Sequence, residues 1–462
     1  MANAIPPKIQ SVENMVKRAR DKTRKSDSPA CPTCHVTLWY SAFFDGTGNN
    51  RERDFPRSHS NIAALFDTHI YMPKQGIIRR YYEGLGTPFE FQDRYEKRRI
   101  SAGRGETREI EVVGYKEGGE STFGLGFAAG ITERLEKAAF DLFLEIDRFQ
   151  STRRLDEINL SAFGFSRGAT EARAFVNWIA SHSKITRSGS KLKYDGIPLN
   201  VKFLGVFDTV ESVGWAAANK MPELIKTAVP AYVQKCSHIV AAHELRHAFP
   251  LTMGDGATRH VVYPGAHADV GGGYSVLEQG RPNSLARVAL LQMLDEARGA
   301  GLKMMSLGEM KIADEWEKTY RPSFDIPKSV KTDLSAYLAE TKPAGAMQDH
   351  IRAHMNQYWA WIDSGLAYAD TQIKLKAKPD AANQKALRTM AFLLSTLART
   401  PSGRGAATAS PVPGMVPAAA QRFFSTYVHD AFEHFSISGG TVQKDVSTAD
   451  YYTLRALLSP TA

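Results

Sequence analysis

Ile158-Asn159-Leu160-Ser161-Ala162-Phe163-Gly164-Phe165-Ser166-Arg167-Gly168-Ala169 is the stretch whose reading decides the fold. An apolar, β-prone run from Ile158 to Phe163 leads into Gly164-Phe165-Ser166-Arg167-Gly168. A helix-like run from Ala169 to Ile179 follows. Strand, then G-x-S-x-G, then helix is the context of a nucleophile elbow, a sharp turn that lifts a serine hydroxyl clear of the sheet edge. The glycines let neighbouring backbone come close, and the turn puts the serine in strained φ/ψ space. The backbone N–H of Arg167 then sits at a helix N-terminus, ready to stabilise an oxyanion. The rival reading is a tight structural turn without chemistry.

Upstream, Val36 to Phe44 reads as a buried strand that ends in the turn cluster Asp45-Gly46-Thr47-Gly48-Asn49-Asn50. Residues 77–84 suggest a second strand, ending at Gly84-Leu85-Gly86. An Arg-rich interval at about 92–118 has no clear period and reads as an exposed insertion. From Gly118 to Ile146 apolar residues recur on one helical face. Downstream, Val201 to Phe207 and Val261 to Tyr263 read as further buried strands. Strands alternating with helices predict an α/β fold: a doubly wound, mostly parallel sheet. In such sheets the site lies beyond the carboxyl ends of the strands. The predicted strands end in chemically loaded loops carrying Asp45, Ser166, Asp208 and His267.

Beyond about residue 284 the pattern is mainly helical, with helices expected at Ser284 to Leu302, 348–367 and 385–398. Arg399 to Ala420 is rich in Pro, Gly, Ala and Ser and reads as a linker. The expected organisation is a basic N-terminal tail over 1–37, a catalytic core over 38–302 and a helical insertion or lid over 303–398. The linker over 399–420 and a C-terminal segment over 421–462 follow; the aromatic run Phe423 to Phe435 would bring that segment back to the core.

Hydrophobic residues make up 43% of the 462 and charged residues 23%, ordinary for a soluble globular protein. No apolar run reaches about 18 residues, so a spanning helix is not expected. The first thirty residues hold no apolar h-region, so a cleaved secretory signal is not expected either. Other export routes stay open. The formal charge of +9 suits an anionic partner such as a phospholipid headgroup or nucleic acid. No nucleic-acid motif accompanies it, so nucleic acid is not the expected partner. Three cysteines, Cys31, Cys34 and Cys236, make no disulfide framework. Cys31-Pro32-Thr33-Cys34 has half of a zinc-site spacing and reads either as a bland segment or as a small metal or redox clip.

An acyl-transfer serine needs a base, and the base needs an acid to orient it. Asp208, at the end of the strand Val201 to Phe207, is the acid candidate, with a helix N-cap as the alternative. His267, in Pro264-Gly265-Ala266-His267-Ala268-Asp269-Val270-Gly271-Gly272-Gly273-Tyr274, is the base candidate. The order Ser, Asp, His is that of α/β-hydrolases. His429, in Tyr427-Val428-His429-Asp430, is the rival base, and Asp269 is a supporting carboxylate or a loop-stabilising one. A second oxyanion donor is expected from the backbone N–H of Asp45 or Gly46. His243-Glu244-Leu245-Arg246-His247 matches H-E-x-x-H. It is expected to be a structural helix; the alternative, a zinc peptidase with Glu244 as base, lacks a convincing third ligand. No metal and no cofactor are expected.

Five motifs then coincide in order: Phe44-Asp45-Gly46-Thr47-Gly48-Asn49-Asn50, Tyr82-Glu83-Gly84-Leu85-Gly86-Thr87, Gly164 to Ala169, Phe207-Asp208-Thr209-Val210-Glu211-Ser212-Val213-Gly214 and Pro264 to Tyr274. Together they resemble an α/β-hydrolase family, once a domain of unknown function, that contains type VI secretion lipase effectors. The resemblance spans roughly residues 38–302. It implies a phospholipase of A1 or A2 type acting on bacterial membranes, with the triad on Ser166, Asp208 and His267. It also implies synthesis in the cytoplasm, delivery on a VgrG-type spike protein to the target-cell periplasm or membrane, and neutralisation by an immunity protein. His429-Asp430-Ala431 departs from the family, with alanine where a small hydroxyl residue is expected. A soluble carboxylesterase, or a non-catalytic interaction module on a hydrolase scaffold, remains the alternative.

Overall fold

The computed structural model describes residues 7–23, 34–87, 95–101, 107–113, 125–211, 225–246, 248–399, 416–431, 451–452 and 454–461. The strands are β1 (His35–Phe44), β2 (Ile77–Tyr82), β3 (Tyr95–Ser101), β4 (Thr107–Val113), β5 (Arg154–Phe165), β6 (Ile185–Ser188), β7 (Lys191–Tyr194), β8 (Ile197–Phe207), β9 (Cys236–Ala241), β10 (Leu251–Thr252), β11 (Thr258–Tyr263) and β12 (Leu457–Leu458). The helices are α1 (Pro7–Thr23), α2 (Arg51–Asp54), α3 (Asn61–Thr68), α4 (Leu125–Thr152), α5 (Arg167–Ile179), α6 (His267–Gly271) and α7 (Leu285–Gly299). A helical region follows: α8 (Leu307–Ile312), α9 (Arg321–Phe324), α10 (Lys328–Thr341), α11 (Met347–Asp363), α12 (Leu366–Lys376), α13 (Ala381–Arg399) and α14 (Ala418–Thr426).

The central sheet runs β11-β9-β8-β5-β1-β2, parallel throughout, with β6 and β7 added as antiparallel strands beside β8. Period-two alternation sends the strand side chains to opposite faces. Leu38, Tyr40, Ala42 and Phe44 of β1, with Leu160 and Ala162 of β5, pack under α1, α4 and α5. Phe43, Phe163 and Phe203 point the other way, onto α3 and α7. Phe43 and Phe163 stack with centroids 4.8 Å apart. Both faces are covered, so the strands read as continuous apolar runs. A third apolar cluster gathers α10, α11, α14 and the segment around Tyr451. Among the described residues no helix is long and apolar enough to cross a membrane.

Several elements differ from the sequence reading. Within 1–37, expected as a tail, Pro7–Thr23 fold as α1, and Val12, Met15 and Val16 are buried, while Lys17 and Arg18 are exposed. The apolar spacing of three and four residues gives one face to the core and leaves Lys17 and Arg18 outside. Cys34 is disulfide-bonded, and Cys236 is free and buried; Cys31 lies outside the described residues. The unperiodic Arg-rich interval contains β3 and β4, paired antiparallel. β9, Cys-Ser-His-Ile-Val-Ala, went unread because its polar residues broke the apolar run, yet all six residues are buried. His243 to Arg246 is not helical, and His247 lies outside the described residues, as do 400–415 of the expected linker and 432–435 of the aromatic run. In the C-terminal segment Phe423, Phe424, Tyr427 and Val428 are buried, and β12 pairs with β10.

Candidate active site

β1 and β5 are neighbours, but the chain leaves β1 towards β2 and leaves β5 towards β8. That reversal opens a crevice at the carboxyl ends of the two strands. Ser166 stands there, between the last residue of β5 and the first of α5, with φ 58° and ψ −122°. No L-residue adopts this conformation without strain. The two glycines take no positive φ; they answer close contacts. A Cβ on Gly164 would lie 2.2 Å from the Gly168 carbonyl oxygen, and one on Gly168 would lie 2.3 Å from that of Asp45. So G-x-S-x-G lets α5 start directly against both β5 and the loop after β1.

The Ser166 N–H donates to the Phe207 carbonyl at 3.0 Å, and its carbonyl accepts from Val210 N–H at 3.2 Å. These bonds stitch the elbow to the end of β8, where Asp208 follows with φ 44°. Asp208 Oδ2 lies 2.5 Å from His267 Nδ1. Its other oxygen, Oδ1, accepts from Ala241 N–H at 2.9 Å and from Arg455 Nη1 at 2.5 Å. Asp208 and Arg455 are both buried. Burial alone would push the Asp208 carboxyl up, but the Arg455 charge and the His267 bond hold it below the usual carboxylate range. Burial pulls His267 below its ordinary 6.5, against the bond and charge of Asp208; Arg246 adds to the lowering. Arg455 was not foreseen. A lone arginine 247 residues from Asp208 carries no local signal.

His267 opens α6, and its ring centroid lies 4.5 Å from that of Phe165 and 5.1 Å from that of Phe249. Phe165, next to Ser166, is itself clasped: a Cβ on Gly271 would lie 1.9 Å from its ring, and one on Gly46 2.5 Å. The backbone N–H of His267 donates to Glu244 Oε2 at 3.3 Å, and Arg246 grips the same carboxylate through Nε and Nη2. Ser166 and the Asp208–His267 pair thus lie at the carboxyl ends of the neighbouring strands β5 and β8.

The loop after β1 is arranged differently from its expected role. Asp45 N–H donates to the Tyr82 carbonyl at 3.0 Å, continuing the β1–β2 ladder. Gly46 N–H donates to Asp45 Oδ1 at 2.7 Å. Asp45 Oδ2 accepts from Ser60 Oγ at 2.7 Å and from the Tyr81 hydroxyl at 2.5 Å. Both expected oxyanion donors are therefore engaged within the protein, because the buried carboxylate turns back to hold its own loop. Burial raises the Asp45 pKa to about 6 against these hydrogen bonds.

His429, the rival base, pairs with Asp269 rather than Asp208, Nδ1 to Oδ1 at 2.6 Å. His243 Nδ1 accepts from Gly265 N–H at 2.8 Å and so shapes the loop before His267. Without a helix, His243 and Glu244 do not take the arrangement of a metalloprotease motif.

A family model described as "T6SS, Phospholipase effector Tle1-like, catalytic domain" matches residues 42–195 and 180–296, together more than half of the chain. No curated protein matches. Among solved structures, an uncharacterized protein from Pseudomonas aeruginosa is 19% identical with a TM-score of 0.61, over 98% of this chain and 82% of that one. The two share a fold. A Tle1 effector, solved bound to the VgrG spike of the type VI secretion system, is 18% identical with a TM-score of 0.43, over 71% of this chain and 85% of that one. With the match running through the first strand, the elbow, the strand before Asp208 and the His267 loop, this chain belongs to the family of Tle1-like catalytic domains of type VI secretion phospholipase effectors.

Proposed function

We propose that this protein is a serine-dependent phospholipase of A1 or A2 type with an α/β-hydrolase core. In this reading Ser166 is the nucleophile, His267 the base and Asp208 the acid that orients it. The observation that carries it is the strained Ser166 turn held by backbone bonds beside the Asp208–His267 pair.

Ser166 Oγ attacks the ester carbonyl carbon while His267 Nε2 takes its proton. The carbonyl oxygen becomes an oxyanion, stabilised by the Arg167 N–H at the start of α5. Gly46 N–H can join only by releasing Asp45 Oδ1. The intermediate expels the lysophospholipid alcohol, which takes the proton from His267, and leaves an acyl-Ser166. Water, deprotonated by His267, then releases the fatty acid and restores the serine.

Family membership supports an antibacterial effector that reaches the target-cell periplasm or membrane by type VI secretion, carried on a VgrG-type spike and opposed by an immunity protein. Liposome hydrolysis with mass spectrometry of the products, wild type against Ser166→Ala, tests the chemistry. Lysophospholipid and free fatty acid from wild type alone support it. Turnover of short soluble esters without any action on liposomes points to a soluble carboxylesterase instead.

A further inference from the structure

A triad carboxylate has two tasks: it orients the imidazole and it stabilises the imidazolium that forms during reaction. Arg455 affects these tasks in opposite directions. Its guanidinium holds Asp208 Oδ1 at 2.5 Å, beside the Ala241 N–H at 2.9 Å, which leaves Oδ2 aimed at His267 Nδ1. It is itself fixed through Nε to the Phe249 carbonyl at 2.8 Å, and through Nη1 to the Ala241 carbonyl at 3.4 Å. The Phe249 ring packs edge-on against His267. A buried full charge on the far oxygen of the carboxylate also withdraws negative potential from the imidazole.

We propose that Arg455 is a positioning residue of this hydrolase, one that sharpens the aim of Asp208 at His267 while weakening its charge, so that His267 stays a free base at lower pH. The proposal rests on the triad reading above. Three other charged groups face His267: Asp208 itself, Glu244 on its backbone N–H, and Arg246 paired with Glu244. Glu244 and Arg246 keep their mutual pairing when Arg455 is replaced, so the replacement reaches His267 mainly through Asp208. A residue that only braces the fold would lower stability and leave the pH dependence of the chemistry alone.

The test uses the full chain and two readouts between pH 4.5 and 9: phosphonylation of Ser166 by a fluorophosphonate probe, in which the serine oxygen displaces fluoride from phosphorus, and kcat/KM on a short soluble ester. Arg455→Met is expected to lower the plateau by about tenfold to a hundredfold, less than the roughly 10⁴-fold cost of losing the triad acid's function. Its acid limb is expected to move up by about one pH unit. Arg455→Lys keeps the charge with poorer geometry, so its plateau falls while its acid limb stays near that of wild type. Should Arg455→Met fail to fold, Arg455→Gln supplies the neutral arm. An unmoved acid limb in a folded neutral variant, or a loss that tracks only the folded fraction, overturns the role of Arg455. A wild type that the probe does not label at Ser166 sinks the triad reading and this proposal together, whereas a labelled wild type with an unmoved limb in the variant sinks this proposal alone.

Discussion

His429 and Asp269 meet as a closed pair, Nδ1 to Oδ1 at 2.6 Å, and the His429 backbone N–H adds a bond to Oδ2 at 2.9 Å. Asp269 lies on α6 two residues after His267, so the pair ties the C-terminal segment to the helix that carries the proposed base. The Tyr274 ring stacks on His429 with centroids 4.1 Å apart. Removing one partner of such a buried pair typically costs about 3 kcal/mol. His429→Ala is therefore expected to lower the denaturation midpoint strongly while the folded fraction keeps most of its kcat. His267→Ala is expected to lose activity by several powers of ten in the folded fraction itself. An inactive His429→Ala beside an active His267→Ala would reverse the assignment of the base.

Ser166 offers a stability test alongside the activity test. Ser166→Ala should abolish hydrolysis yet keep the strained φ of 58°. Ser166→Gly should be equally inactive but more stable than the alanine variant by about 1 kcal/mol, since glycine accepts positive φ without a Cβ penalty. Denaturant melts of the two variants decide this. Equal stability would mean that the turn stores no strain.

Thermal stability should pass through a maximum near pH 6.5. Burial lowers His59 and His354 to about 3, and His69 and His243 to about 4. The unfolded chain protonates these groups near their ordinary 6.5 while the folded chain refuses the proton. Their contribution is present above that pH and is lost as pH falls towards 4. Glu171 works the other way. Burial raises it from 4.5 to about 8, so its contribution is full at low pH and is lost as pH rises through 8. Four histidines outweigh Glu171 below 6.5, and Glu171 acts against them above it. A Tm that stays flat from pH 4.5 to 7 would contradict this account.

Val276 and Leu277 are 56% and 58% exposed on the turn that follows the Gly271–Gly273 run. Gly280, at the end of that turn, packs against Lys374 of α12, where Ile373 and Lys376 are exposed. Apolar tips beside cations suit an anionic bilayer surface, and salt screens the cationic part of the attraction. Hydrolysis is expected to be faster on anionic than on neutral liposomes, with the advantage shrinking as salt rises. Leu277→Asp should cut liposome turnover about tenfold and leave soluble-ester turnover unchanged; equal losses on both substrates would count against surface docking.

Much of the fold was legible in the sequence because its strands are apolar runs ended by turn clusters. β1 and the carboxyl-terminal part of β8 fall where those runs were read. β9 was hidden by its serine and histidine, which are polar but buried. The expected His243 helix failed because its backbone serves another purpose, donating His243 N–H to the Gly265 carbonyl. Chain order and strand ends pointed to Ser166, Asp208 and His267, of which Asp208 and His267 are in direct contact. The Asp45 loop was misread because a motif names its residues without saying where each N–H is spent. Arg455 was invisible for a simpler reason: its importance lies in a contact across the whole chain.

Phe165 sits between two glycines, with Gly46 of the loop after β1 on one side of its ring and Gly271 of α6 on the other. Its ring works as a gauge block, setting the gap between the loop after β1 and the helix that carries His267. Evolution cannot adjust these three positions one at a time. A side chain at 46 or 271 requires a smaller residue at 165, and a smaller residue at 165 leaves both walls loose. Relatives that process bulkier or slimmer acyl chains are thus expected to change the three together or not at all, and an engineer who wishes to reshape this site should begin with libraries that vary them jointly.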